Sequence, residues 1–374
     1  MTKARDRQKR RRQRDMVSKR ALNNSQATPE GQFQLPEIEI PGGRWLVVIP
    51  AAGLILIAVI FTLRFINPPD TTVPTNGIWL NTEWVYGDTD IEDVINLIGT
   101  LRENQIGQVY FYVSSLSADG TWLGDGTGSN RFATVEARID GIIEQMRSVY
   151  PSIAIYAWVE VNAATPTYRL DQPDIQSEIA NFSSQMVTQH DFDGVLLDIK
   201  PIFEESDDYI DVLRAVRRQI GFETNLLVAV PPDITPTGTQ LNLPDVIQPG
   251  TEWSPEYKQR VALIANQIVI AAYNSYQDNS IDYIQWVSYQ VDSYVDVLSQ
   301  IDSDTTIVIS VPNYERTSQA HNPTVENLEG ALDGVNIAAD MLDETTESLL
   351  AGVAIFTDTL PSDDDWRIYR QRMP

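Results

Sequence analysis

From Gly77 onward, short apolar runs of strand character alternate with stretches whose apolar positions recur at helical period. The runs predict strands over 77–82, 108–113, 153–160, 194–200, 226–231, 267–273, 306–312 and 352–357. Between them, helices are predicted over 90–104, 133–149, 174–190, 207–220, 254–266, 282–298, 323–342 and 363–372. The run "WSPEY" at 253–257 carries a start signal, with Ser254 as N-cap and Pro255 at the first helical position. Repeated β-then-α units over about 300 residues point to an α/β chain folded as a closed parallel (β/α)8 barrel. An open doubly wound sheet would want a glycine-rich phosphate turn after an early strand, and the sequence has none.

Ahead of the alternating region the pattern changes. Trp45 to Leu63, "WLVVIPAAGLILIAVIFTL", runs without a charge between Arg44 and Arg64. At about 1.5 Å per residue such a stretch spans roughly the 30 Å of a bilayer core. Residues 45–66 are therefore expected to be a single transmembrane anchor. A cleaved signal peptide would have a shorter apolar region followed by a small-residue cleavage site, whereas "RFINPPD" follows here. Residues 1–44 are expected to be a disordered basic tail, 67–76 a short stiff linker, and 77–374 the barrel domain.

Charge sharpens this picture. The chain of 374 residues has a formal net charge of −25, yet residues 1–44 hold 11 of its 27 Lys and Arg. The positive-inside rule places that tail in the cytoplasm and the barrel outside it. The strongly acidic remainder repels phosphate backbones, which argues against a nucleic-acid partner. The absence of cysteine excludes disulfides and thiolate metal sites. The two histidines, His190 and His321, are far apart and are expected to be core or surface residues, not metal ligands. No metal or cofactor is expected.

In a barrel, chemistry belongs at the C-terminal ends of the strands. Two long polar loops, "SSLSADGTWLGDGTGSNR" and "PPDITPTGTQLNLPDVIQPGTE", fall at such ends. In "FDGVLLDIKP", residues 192–201, alternation puts Leu196, Asp198 and Lys200 on one face. Val195, Leu197 and Ile199 then face the helices. A carboxylate and an ammonium at the inward end of a strand are expected to pair.

These residues carry a resemblance to glycoside hydrolase family 18, the chitinases and their relatives. The family's strand motif F-D-G-x-D-x-D-x-E is matched by Phe192, Asp193, Gly194 and Asp198, with Leu196 at the middle Asp and Lys200 at the catalytic Glu. A membrane-anchored bacterial branch is closer still: "DGVLLDIKP", "LLVAVPP", "WSPEYKQRVA" and "AAYNS" follow its motif order. Tyr273 matches the family's tyrosine, and Asn274 replaces the Asp beside it. "GVAIFTD" resembles the family's final strand, with Phe356 where a floor tryptophan usually sits and Asp358 at its end.

The resemblance implies substrate-assisted glycoside hydrolysis, in which a Glu protonates the glycosidic oxygen and an Asp orients the substrate's N-acetyl group. Lys200 cannot supply that proton well. A free lysine titrates near 10.4, and Asp198 would push it higher, whereas an effective acid works near the ambient pH. Family-type hydrolysis is expected to be lost or very weak.

Glu160, in "YAWVEVN" with Tyr156, Trp158 and Asn162 on its face, is the alternative carboxyl; it could serve the site or pair with Lys200. Glu83, Glu204 and Glu205 are expected to be solvated. Trp84, Tyr112, Trp122, Trp158, Tyr273, Tyr314 and Phe356 lie at or past strand ends and could offer flat faces to sugar rings or simply fill the core. Three readings are open: a barrel processing a cell-envelope or N-acetylhexosamine glycan, a non-catalytic binding module or scaffold, or a hydrolase using Glu160.

Overall fold

The computed structural model describes residues 75–116, 120–124, 131–163, 170–233 and 253–373. Eight parallel strands close into a ring. In order around it they are β1 (Gly77–Leu80), β2 (Gln108–Leu116), β4 (Ala154–Asn162), β5 (Gly194–Lys200), β6 (Asn225–Val230), β7 (Gln267–Ala271), β8 (Thr306–Asn313) and β9 (Leu350–Thr357), with β1 pairing to both β2 and β9. The short β3 (Trp122–Leu123) runs antiparallel to the tip of β2. The helices are α1 (Thr82–Tyr86), α2 (Ile91–Glu103), α3 (Glu136–Val149), α4 (Pro173–Gln189), α5 (Asp207–Ile220), α6 (Pro255–Ala262), α7 (Ser280–Leu298), α8 (Leu328–Ala339) and α9 (Asp363–Arg372).

Alternation along the strands sorts the apolar residues into two cores. Val195, Leu197 and Ile199 join the large shell between strands and helices, while Leu196 joins Trp79, Tyr110, Tyr112, Tyr156 and Trp158 inside the barrel. Gly194, the glycine of the strand motif, lies against β6. A Cβ there would run into the carbonyl oxygen of Asn225, so close strand packing accounts for the residue.

Element ends follow local hydrogen bonding. β1 stops at Leu80, short of the expected 82, because the Asn81 side chain caps α1 by accepting from Glu83 N at 3.1 Å. α8 starts at Leu328, not 323, because the Asn327 side chain accepts from Gly330 N at 3.0 Å. Ser254 caps α6 with Pro255 in its first turn, as the sequence predicts, but that helix ends at Ala262 and not at 266.

Two residues fasten the barrel, one at each end of its strands. Before β1, Asn76 O accepts from Gly107 N and Gln108 N at 2.9 and 3.1 Å, and Asn76 Oδ1 accepts from Val353 N at 2.9 Å. The chain is thereby secured at the N-terminal end of the strands. After β6, Asp233 is tied to two helices. Its buried carboxylate pairs with the buried Lys258 of α6 at 2.5 Å, and its backbone N–H donates to Gln290 Oε1 of α7 at 2.7 Å.

The expected tail 1–44, anchor 45–66 and nearly all of the linker 67–76 lie outside the described residues. Among those that are described, no helix is long and apolar enough to cross a membrane. The two long polar loops also fall partly outside them.

Candidate functional site

β4 and β5 run side by side in a register that sets Glu160 opposite Asp198 and Asn162 opposite Lys200. All four sit at the C-terminal ends of their strands. Asp198 is only 2% exposed, a position at which a carboxylate must be compensated. Lys200 Nζ lies 2.8 Å from Asp198 Oδ1 and donates to Oδ2 at 3.0 Å. Trp158 Nε1 adds a donor to Oδ2 at 3.2 Å. The expected pairing of Lys200 with Asp198 is present.

The electrostatics follow from this contact. Burial alone would lower the Lys200 ammonium, but Asp198, with Tyr273 and Glu160 behind it, more than reverses that and holds the amine above the ordinary lysine range. Glu160 moves the other way for a carboxyl. Burial first, then the Asp198 charge, push it up from 4.5, against a smaller downward pull from Lys200 and from Tyr112. Tyr112 Oη donates to Glu160 Oε2 at 3.5 Å. The site therefore contains an amine that retains its proton and a carboxyl that binds one more readily than usual.

An aromatic floor lies beside this charged group. Trp158 meets Trp79 edge-on at 4.8 Å and Tyr112 at 5.0 Å. Phe356 stacks on Tyr273 at 4.7 Å and 18°, and Tyr314 meets both edge-on at 5.8 and 6.2 Å. Burial pushes the Tyr273 phenol up, while Lys200 pulls it back in part. Trp158, Tyr273, Tyr314 and Phe356 thus lie together, with Tyr112 and the unforeseen Trp79 beneath. Only alternation in "GIWL" could have revealed Trp79, since Ile78 and Leu80 face the outer core and Trp79 the inner.

Two expectations, those for Trp84 and Trp122, are corrected. Trp84 is carried away on α1 and packs against the outer core, because the chain turns helical at Asn81. Trp122 stacks on Phe182 at 3.9 Å and donates to Glu178 at 2.8 Å, also outside the barrel. Asp358 faces Arg316 at 3.7 Å, and its carbonyl accepts from Asn81 Nδ2 at 2.6 Å, so it ties loops together. Asn162 and Asn274 are exposed at the mouth, Asn274 in the left-handed region at φ 59°. Glu83, Glu204 and Glu205 are exposed. Both histidines are buried.

One group carries no signal in the sequence. Glu326, 1% exposed, receives Asn274 N at 2.8 Å, Ser275 N at 2.9 Å, Ser275 Oγ at 2.6 Å and His321 Nδ1 at 2.8 Å. It precedes α8 in the structure, although the sequence predicts a helix from 323, in whose first turn a glutamate gives no hint of burial.

No protein-family model and no curated protein matches this chain. Solved structures do share its fold. A GH18 chitinase from Pseudoalteromonas aurantia aligns over 80% of this chain and 99% of its own at 12% identity and a TM-score of 0.52. A class V chitinase from Pseudomonas fluorescens aligns over 80% and 100% at 9% identity and 0.50. The Bacillus cereus spore cortex-lytic enzyme SleL aligns over 80% and 74% at 11% identity and 0.50. What the chain shares with these proteins is the fold, an eight-stranded parallel α/β barrel.

Proposed function

We propose that this chain is a membrane-tethered, extracytoplasmic member of the chitinase-type barrels that binds an N-acetylhexosamine-containing or cell-envelope glycan at the barrel mouth without cleaving it by the family's route. The N-terminal tail is cytoplasmic in this reading, and residues 45–66 form a single-pass anchor.

The observation that carries the loss of catalysis is the Lys200–Asp198 contact of 2.8 Å at the position where the resemblance requires a proton-donating Glu. An ammonium stabilised by a buried carboxylate is a poor acid toward a leaving alkoxide, and removing general acid catalysis slows such steps about 10²–10⁴-fold. Binding is supported by the aromatic group at the mouth, above all the half-buried Tyr314 beside Tyr273 and Phe356. The test is a panel of N-acetylglucosamine oligomers and envelope glycan fragments assayed for binding and for cleavage. Affinity without turnover supports the reading, and turnover that disappears in Lys200→Ala overturns it. Anchoring is tested separately by fractionation: a wholly soluble full-length chain refutes it.

A second reading is favoured by one observation. Glu160 lies opposite Asp198 in register, and its carboxyl is pushed up, the direction that suits a general acid. Cleavage abolished by Glu160→Gln would establish that route.

A further inference from the structure

Glu326 presents a physical puzzle. A buried carboxylate loses its hydration and is tolerated only when its lone pairs are satisfied. Here the side chain is fully enclosed, and so, nearly, is that of its partner His321. Four donors converge on it at 2.6–2.9 Å. His321 Nδ1 faces this carboxylate at 2.8 Å, where a ring N–H can donate, and its Nε2 faces the Tyr314 carbonyl oxygen at 3.4 Å.

What the pair holds is specific. The two backbone amides belong to Asn274 and Ser275, the first residues past Tyr273. Their convergence on one carboxylate goes with the left-handed turn at Asn274, whose φ is 59°. On the other side, His321 lies flat against the Tyr314 ring at 4.1 Å and 28°. Tyr314 in turn meets Tyr273 and Phe356 edge-on. The loops after β7 and β8 are also joined through Tyr276 N and Ala320 O at 3.1 Å. The pair thus clamps the two loops that carry Asn274 and Tyr314 to the mouth, without itself reaching it.

We propose that Glu326 and His321 are positioning residues for glycan binding: they set the ring of Tyr314 and the turn at Asn274, and the affinity of the mouth for a sugar depends on them through those two residues. The proposal rests on the glycan-binding reading above. In amide hydrogen exchange on the full-length protein, Glu326→Gln is expected to raise the exchange of Asn274 and Ser275 by at least about 10-fold with the barrel strands unchanged. Unaltered protection of those two amides overturns the proposal.

Binding of an N-acetylglucosamine tetramer supplies the second readout. Glu326→Gln and Tyr314→Ala are each expected to weaken affinity by about 10-fold, and the double variant by clearly less than the two effects combined, because both act on the Tyr314 ring. His321→Gln guards against a folding failure in the first variant and should fall with it. Full additivity of the double variant, or unchanged affinity in Glu326→Gln, overturns the proposal while leaving glycan binding intact. A wild type that binds no glycan of the panel removes the reading beneath it, and the proposal with it.

Discussion

Lys200→Met is the sharpest perturbation of the site, since it keeps the length of the side chain and removes its charge. In the wild type the amine lies 2.8 Å from Asp198 Oδ1. At an effective dielectric of about 20, Coulomb's law gives roughly 6 kcal/mol of gross attraction at such a distance. The lysine side chain is 55% exposed, so water and salt screen much of this and leave about 2 kcal/mol. Asp198 has no such access to water, and in the variant it keeps only the Trp158 N–H of the two side-chain donors. The variant should therefore unfold about 2 kcal/mol more easily, a fall of roughly 4 °C in Tm for a domain of this size. Circular dichroism melts at low and high salt measure it, and the gap should narrow as salt rises. Fluorogenic N-acetylglucosamine oligomers supply the functional arm, with both proteins expected at background. A variant as stable as the wild type would mean that the amine does not neutralise Asp198. Wild-type turnover that vanishes in the variant would mean that it acts as the acid.

Three further outcomes are expected. Glu160 binds protons more readily folded than unfolded, so stability falls as pH rises from near the ordinary 4.5 through its raised folded value; Glu160→Gln should flatten that part of the pH–stability curve and be the more stable protein at neutral pH. Lys258→Met strands the buried Asp233 carboxylate and should cost about 3–5 kcal/mol in urea unfolding, with an unchanged midpoint refuting the fastening role. Gly194→Ala pushes a methyl at the Asn225 carbonyl and should destabilise by about 1–3 kcal/mol or leave the protein insoluble, while wild-type stability would show that β5 and β6 can part.

The barrel was legible because its strands are apolar on both faces and its helices are amphipathic, so each period announces itself. The motif end was legible too: alternation alone places Asp198 and Lys200 inward and pairs them. Trp84 was misplaced because a single side-chain cap at Asn81 converts an expected strand end into a helix, an event that hydrophobic period does not register. Trp122 was misplaced because position in a loop says nothing of which way the loop folds. Glu326 escaped because it fell in the first turn of a helix expected over 323–342, where a glutamate reads as solvated, and His321 could be read as core or surface; only the meeting of two loops distant in sequence encloses the pair.

The fastening of Asn76 beneath β1 has a practical corollary. The backbone enters at the N-terminal end of the strands, and Lys200, Tyr273 and Tyr314 lie at or just past the opposite end. A biosensor surface or carrier protein coupled at residue 75 itself would therefore leave Lys200, Tyr273 and Tyr314 facing away from it, whereas a bulky fusion inserted after β8 would crowd them.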